Sequence, residues 1–224
     1  MCGRFSMALE TDDVRTALAL GQVPESWKPR YNVAPTQAVA AVSDVNTRDV
    51  VMLRWGLVPF WAKDPSIGSR MINARSETLT EKTSFKKLLS RRRCIILADG
   101  FFEWQKASLT TRGSIPFYFS LKDGEPFGFA GLWDRWADKA NPGESALTTC
   151  TIITCAANAL VADVHERMPV ILSGDRMWQW LQAESEVEAL SLLRPVDPIL
   201  MRAWQVSRRV NDVSNDDPAI LEAV

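Results

Sequence analysis

The chain has 224 residues, enough to bury a large core, and nothing in its composition forces a split into two domains. Apolar residues make up 46% and charged residues 24%, and 26 Lys and Arg face 27 Asp and Glu for a formal net charge of −1. That balance excludes a disordered tail and a globally basic nucleic-acid coat, so an anionic partner would need a local patch.

In chain order, Glu10 to Leu20 reads as a short helix, with Thr11 as its cap, Asp12 and Asp13 at its positive end and Gly21 as its stop. A loop rich in Pro and Trp leads to Tyr31-Asn32-Val33-Ala34-Pro35-Thr36. Ala38 to Ser43 and Asp49 to Trp55 then form a hairpin pattern around a polar turn. A second loop, Gly56 to Arg70, carries Phe60 and Trp61 and delivers Asn73-Ala74-Arg75, read as a turn leaving a strand. Ser84 to Arg93 has helical periodicity, with Phe85, Leu88 and Leu89 on one face and a basic end at Arg91 to Arg93 directed largely outward.

Cys94 to Ala98 is an apolar run too short for a helix, and Asp99-Gly100 marks a turn before Phe101-Phe102-Glu103-Trp104. Pro116 to Leu121 and Pro126 to Trp133 flank Lys122-Asp123-Gly124-Glu125, a hairpin signal, and the β-branched run Thr148 to Thr154 predicts a strand. Ala156 to Val164 reads as helical. Ser173 is expected to cap a helix through Leu181, and Ser185 with Glu188 a second one. Trp204 to Asn211 reads as a last strand and its exit. Strands in runs, with helices inserted between them, predict an α+β fold of a single domain over 1–224, with a mainly antiparallel or mixed β core, barrel-like or sandwich-like, and peripheral helices. There is no internal repeat.

No secretory pattern opens the chain and no apolar run approaches a membrane span, so the expectation is a cytosolic protein with no membrane partner. Cys94, Cys150 and Cys155 form no Cys-x-x-Cys pair. With one histidine in the chain, neither a metal nor another cofactor is expected, and these cysteines read as reduced, buried thiols.

Cys2 stands directly after the initiator methionine. Without Met1 it would carry both an α-amine and a thiol on adjacent carbons. The amine can form a Schiff base with an aldehyde, and the thiolate can close on that imine to a five-membered thiazolidine; alternatively the thiolate is a nucleophile with the α-amine as its base. His165 is the only histidine, hence the only side chain whose ordinary pKa lies near neutrality, or else a histidine satisfied near a strand end. Glu103 lies among bulky aromatics after a turn; facing inward it would hold its proton more tightly, facing outward it would be an edge-strand carboxylate. The Asn73 amide could orient a substrate oxygen, and Arg75 could clamp an anion.

Seven short segments in this order, Met1-Cys2-Gly3-Arg4-Phe5, Tyr31-Asn32-Val33-Ala34-Pro35, Trp55-Gly56, Asn73 to Thr78, Ala98 to Trp104, His165-Glu166-Arg167-Met168-Pro169 and Val206-Ser207, make the chain resemble the SOS-response-associated peptidase family of abasic-site processing proteins. The resemblance spans nearly the whole chain. It implies a sensor that crosslinks to abasic sites in single-stranded DNA through a mature N-terminal Cys2, as a thiazolidine, in the DNA damage response. It further implies autoproteolytic release of Met1, a thiol-protease step, and an AP-lyase activity by Schiff-base strand cleavage. The implied catalytic residues are Cys2, Asn73, Glu103 and His165. Arg4, Asn32, Pro35, Trp61, Arg75, Arg167 and Arg208 are the implied DNA contacts, although the Phe60-Trp61-Ala62 loop lacks the adjacent tryptophan pair of some members. A monomer, nucleoid-associated when bound to damaged DNA, is the expected form.

Two other classes fit parts of the sequence. The Met-Cys-Gly opening also resembles amidotransferases with an N-terminal cysteine nucleophile, but the Asn-Gly pair that commonly supplies their oxyanion contact is absent. A noncatalytic single-stranded nucleic-acid-binding module would leave Cys2, Glu103 and His165 without a shared task.

Overall fold

Residues 93–98, 127–136 and 147–156 carry apolar or small side chains at nearly every position, the pattern of strands covered on both faces. In the computed structural model, which describes residues 2–106, 113–138, 140, 141, 143 and 145–224, these segments build a closed ring of strands. In chain order the elements are β1 (Phe5–Met7), α1 (Thr11–Ala17), β2 (Arg30–Val33), β3 (Ala38–Val42), β4 (Val50–Trp55) and β5 (Asn73–Arg75). They continue with α2 (Thr83–Arg91), β6 (Arg93–Ala98), β7 (Gly100–Gln105), β8 (Ile115–Leu121), β9 (Phe127–Trp136) and β10 (Leu147–Ala156). The last are α3 (Ala159–Ala162), β11 (Arg167–Pro169), β12 (Ile171–Leu172), α4 (Asp175–Gln182), α5 (Glu186–Ser191) and β13 (Met201–Gln205), with short 3-10 turns between them.

The ring runs β10-β4-β3-β6-β9 and closes where β9 returns to β10 along Leu147–Ile152. β10 is longer than the ring needs. Beyond the closure it pairs in parallel with β5 and antiparallel with β11, so a single strand reaches from the barrel to the segments around Asn73 and His165. A second, open sheet has the order β13-β8-β7-β1-β2. Its aromatic face packs on the barrel: Phe5 meets Trp55 and Phe129 edge-on at 5.2 and 5.5 Å, and Phe101 meets Phe129 edge-on at 6.4 Å. The expected α+β architecture with a mainly antiparallel, barrel-containing core is therefore present, the parallel pairs being those of β10 with β4 and β5.

Where the structure departs from the sequence expectations, tertiary partners decide. The Lys122–Glu125 turn exists, with Gly124 at φ 75°, but β8 and β9 do not pair. β8 lies between β7 and β13, while β9 enters the barrel between β6 and β10, so the turn reverses the chain without making a hairpin. Asp99 likewise ends one sheet and Gly100 begins the other. A β-carbon at Gly100 would lie 2.0 Å from the Tyr118 hydroxyl, which explains glycine there. Asn73 sits within β5 rather than in a turn, and β1 and β2, both short and set among polar residues, are strands that alternation alone does not reveal.

The helix caps differ too. Thr11 does not cap α1, whose first flanking residue is Glu10, and Gly174 rather than Ser173 precedes α4 without a side-chain cap. The run Ala156 to Val164 shrinks to α3, because its start completes β10 and Asn158 caps the helix by accepting from Val161 N at 3.0 Å. Ser185 Oγ accepts from Glu188 N at 3.1 Å as expected, while the Glu188 carboxylate reaches Glu184 N at 2.9 Å rather than the cap residue. Arg93 points inward: its guanidinium donates to the carbonyls of Leu89, Trp180, Leu181 and Ala183, closing the C-terminal ends of α2 and α4.

Candidate functional site

β1 carries Cys2 at its entrance and pairs with β7, which carries Glu103, in the register Phe5↔Phe101 and Ser6↔Gly100. A buried polar lock fixes that register. The Asp99 carboxylate accepts from Ser6 Oγ at 2.6 Å and from Ala8 N and Leu9 N at 2.6 and 3.0 Å, and Ser6 Oγ lies 2.7 Å from the Tyr118 hydroxyl. Burial raises the pKa of both Asp99 and Tyr118, and the hydrogen bonds from Ser6, Ala8 and Leu9 oppose this at Asp99.

Cys2 is completely buried, and its thiol lies 3.8 Å from the Arg4 carbonyl. Asn73 Nδ2 donates to the Cys2 carbonyl at 2.7 Å, while Asn73 Oδ1 has no hydrogen-bond partner among the described residues. Burial pushes the Cys2 thiol pKa upward, and the Glu103 carboxylate pushes it the same way. Glu103 is only 3% exposed, and burial raises its pKa. Its orientation, left open by strand alternation, is inward. Cys2, Asn73, Glu103 and His165 thus converge from β1, β5, β7 and the loop before β11.

His165 is half-buried, and its Nδ1 accepts the backbone N–H of Arg167 at 3.0 Å. The Arg167 guanidinium forks Glu77, with Nη1 to Oε1 at 2.6 Å and Nη2 to Oε2 at 2.9 Å, and Nη2 also donates to the Thr154 carbonyl at 2.7 Å. Glu77 lies inside one of the sequence segments yet attracts no attention there, since a carboxylate two residues past Arg75 gives no clue to a partner 90 residues away.

The residues expected to contact DNA divide into two groups. Asn32 is a correction: it is completely buried, its Nδ2 serving the carbonyls of Val210, Asp212 and Asn215 at 3.3, 3.1 and 2.7 Å, so it fastens the C-terminal segment instead of facing a ligand. Arg4 is held by Asn32 Oδ1 and the Val210 carbonyl, both at 2.6 Å, with its guanidinium 5.9 Å from the Trp104 ring centre, and Arg167 is held by Glu77. Arg75, Arg208 and Trp61 are exposed, and Pro35 is half-buried. Pro35 precedes Thr36, which adopts φ 73° while its N–H donates to the Trp55 carbonyl at 2.8 Å, a tight turn that normally favours glycine at this position.

The loop bearing Trp61 is anchored along its length. Val58 N donates to Thr149 Oγ1 at 2.8 Å, Phe60 N to Asp134 Oδ2 at 2.9 Å, and Trp136 Nε1 to the Ala62 carbonyl at 2.7 Å. Its two ends cross at Gly56 and Gly68, where a β-carbon on either would come within 2.7 Å of the other's carbonyl oxygen. Phe60 and Trp61 consequently stay 57% and 45% exposed on a fixed support. Among the described residues no cluster of His, Cys, Asp and Glu could hold a metal ion, and no helix is long and apolar enough to cross a membrane. Met1, whose release the sequence leads one to expect, lies outside the described residues.

A barrel flanked by an open sheet, with a cysteine near the chain start gathered to an asparagine, a glutamate and a histidine, defines a class that sequence comparison names. The chain belongs to the SOS response associated peptidase (SRAP) family, whose model matches residues 1–213. It is 44% identical to the abasic site processing protein YoqW of Bacillus subtilis (strain 168), with 100% of both chains covered. It is 35% identical to the abasic site processing protein HMCES of Gallus gallus, across 99% of this chain and 77% of that one. A crystal structure of a protein from Bacteroides thetaiotaomicron superposes with a TM-score of 0.87 at 29% identity, all of both chains being covered.

Proposed function

We propose that this protein processes abasic sites in single-stranded DNA by covalent capture, once release of Met1 makes Cys2 the first residue. The observation that carries the reading is the Asn73 amide on the Cys2 carbonyl at 2.7 Å, beside a buried Glu103 whose proton is held more tightly than usual. The relatives named abasic site processing proteins support the same substrate.

The chemistry needs no cofactor. The Cys2 amine adds to the C1′ aldehyde of the ring-opened sugar, Glu103 gives a proton to the departing hydroxyl, and water leaves to form the imine. The Cys2 thiol, losing its proton to the Glu103 carboxylate, adds to the imine carbon, and the nitrogen takes up a proton as the thiazolidine closes. Aldehyde, amine and thiol thus give one ring and one water. Asn73 holds the Cys2 backbone during both additions, and His165 assists opening of the sugar ring and its reversal. Elimination from the imine before the thiol closes would cut the strand, the AP-lyase outcome, and hydrolysis of the Met1–Cys2 bond is the autopeptidase step. Arg75 and Arg208 are suited to phosphate, and Trp61 with Pro35 to the bases beside the lesion. We take the working form to be a monomer.

Intact-mass measurement of the protein, alone and after incubation with a single-stranded oligonucleotide containing one abasic site, tests this, with Cys2→Ser in parallel. Loss of Met1 and a DNA adduct stable without borohydride, absent from Cys2→Ser, is expected. Loss of Met1 with no adduct would overturn capture in favour of an amidohydrolase. Binding that persists in Cys2→Ser without preference for the lesion would indicate a noncatalytic module.

A further inference from the structure

We propose that His165 works as a neutral hydrogen-bond donor through Nε2, and that Arg167 and Glu77 are the positioning residues that hold it in that state; the role toward substrate rests on the capture reading above. The backbone N–H of Arg167 donates to His165 Nδ1 at 3.0 Å. A peptide N–H offers no lone pair, so Nδ1 must present its own, and the one proton of the neutral ring resides on Nε2. A ring so fixed donates at Nε2. It can accept a proton only at Nδ1, by surrendering the Arg167 amide, and it cannot act as a base at Nε2. Proton uptake and release during capture then fall to Glu103, and His165 supplies a fixed N–H to an ether or hydroxyl oxygen of the sugar.

The amide of Arg167 is itself held in place. Arg167 stands opposite Ala156 in the β10–β11 ladder, and its side chain, 14% exposed, forks the Glu77 carboxylate. Glu77 follows β5 directly, in the 3-10 turn Ser76–Thr78. The ion pair therefore ties the strand that presents Asn73 to the strand that follows His165. Both strands lie against β10, where Thr154 is opposite Arg75 on one side and Pro169 on the other. The pair is bidentate, with the Arg167 side chain 14% and the Glu77 side chain 52% exposed, and its two parallel bonds fix an orientation that a single contact could not.

Because the chain has one histidine, long-range proton–nitrogen NMR spectra of the labelled protein at pH 8 report this ring alone. The expected spectrum has an unprotonated Nδ1 and a protonated Nε2; an Nδ1–H form, or an average of the two, would overturn the proposal. Glu77→Gln is expected to turn the ring into a mixture of tautomers and slow adduct formation by about tenfold or more, as loss of positioning does. A Glu77→Gln protein with the wild-type spectrum and the wild-type rate would overturn the positioning role. Should that variant not fold, Arg167→Lys, which keeps the amide but loses the fork, carries the same expectations. Failure of the wild type to form any adduct would defeat the capture reading and leave the tautomer assignment to the spectra.

Discussion

Gly56 and Gly68 cross so closely that neither has room for a side chain: a β-carbon on Gly68 would lie 2.7 Å from the Gly56 oxygen, and one on Gly56 2.6 Å from the Gly68 oxygen. The obstacles are backbone atoms, which cannot rotate away. Gly68→Ala is expected to destabilise the fold by about 2–4 kcal/mol, read by urea denaturation, because the strap bearing Trp61 must move as a unit. A loss below about 0.5 kcal/mol would show that the crossing tolerates a methyl group.

Trp61→Ala should behave in the opposite way. Its ring is 45% exposed and the loop is anchored through other residues, so thermal stability should hardly change. Affinity for single-stranded DNA should fall by about 1–3 kcal/mol, measured by fluorescence anisotropy, if the ring stacks on a base.

Glu103→Gln separates stability from activity. Burial raises the Glu103 pKa, so the folded state holds this proton more tightly than the unfolded chain does. Its favourable contribution is complete below the ordinary carboxylate range and is lost as pH rises through the raised value. Glutamine does not titrate. The variant should therefore melt roughly 2–4 °C above wild type at pH 8 for each ~1 kcal/mol regained, with the gap narrowing at pH 4.5, by scanning calorimetry. Adduct formation should fall by about 10²-fold or more.

Asn73→Ala removes the amide on the Cys2 carbonyl. Stability should drop by about 1 kcal/mol, the net value of such a bond, whereas the rate of adduct formation should drop by about 10²-fold as the cysteine loses its placement. Rapid-quench gel assays against abasic oligonucleotides distinguish the two effects.

The fold class was legible in the sequence, whereas the candidate site was legible only as separate residues. Cys2, Glu103 and His165 are unusual enough in type or position to be picked out individually, and the structure gathers them with Asn73. Their neighbours were harder to read, because a polar residue in sequence does not announce its partner. Asn32 looks like any exposed amide until the C-terminal segment folds over it, and Glu77 gains meaning only once Arg167 arrives. The β3–β4 hairpin was legible because its turn and both strands are local. The turn at Lys122–Glu125 was equally legible but misleading, since β8 pairs with β7 and β13, and β9 with β6, β10 and β12, instead of with each other.

β10 has a consequence for how the molecule comes into being. Cys2 is made long before residues 147–156, without which the barrel cannot close, and His165 follows later still. Native pairings this distant in sequence form slowly. A nascent chain therefore carries its cysteine for most of its synthesis without the groups that gather around it in the folded protein.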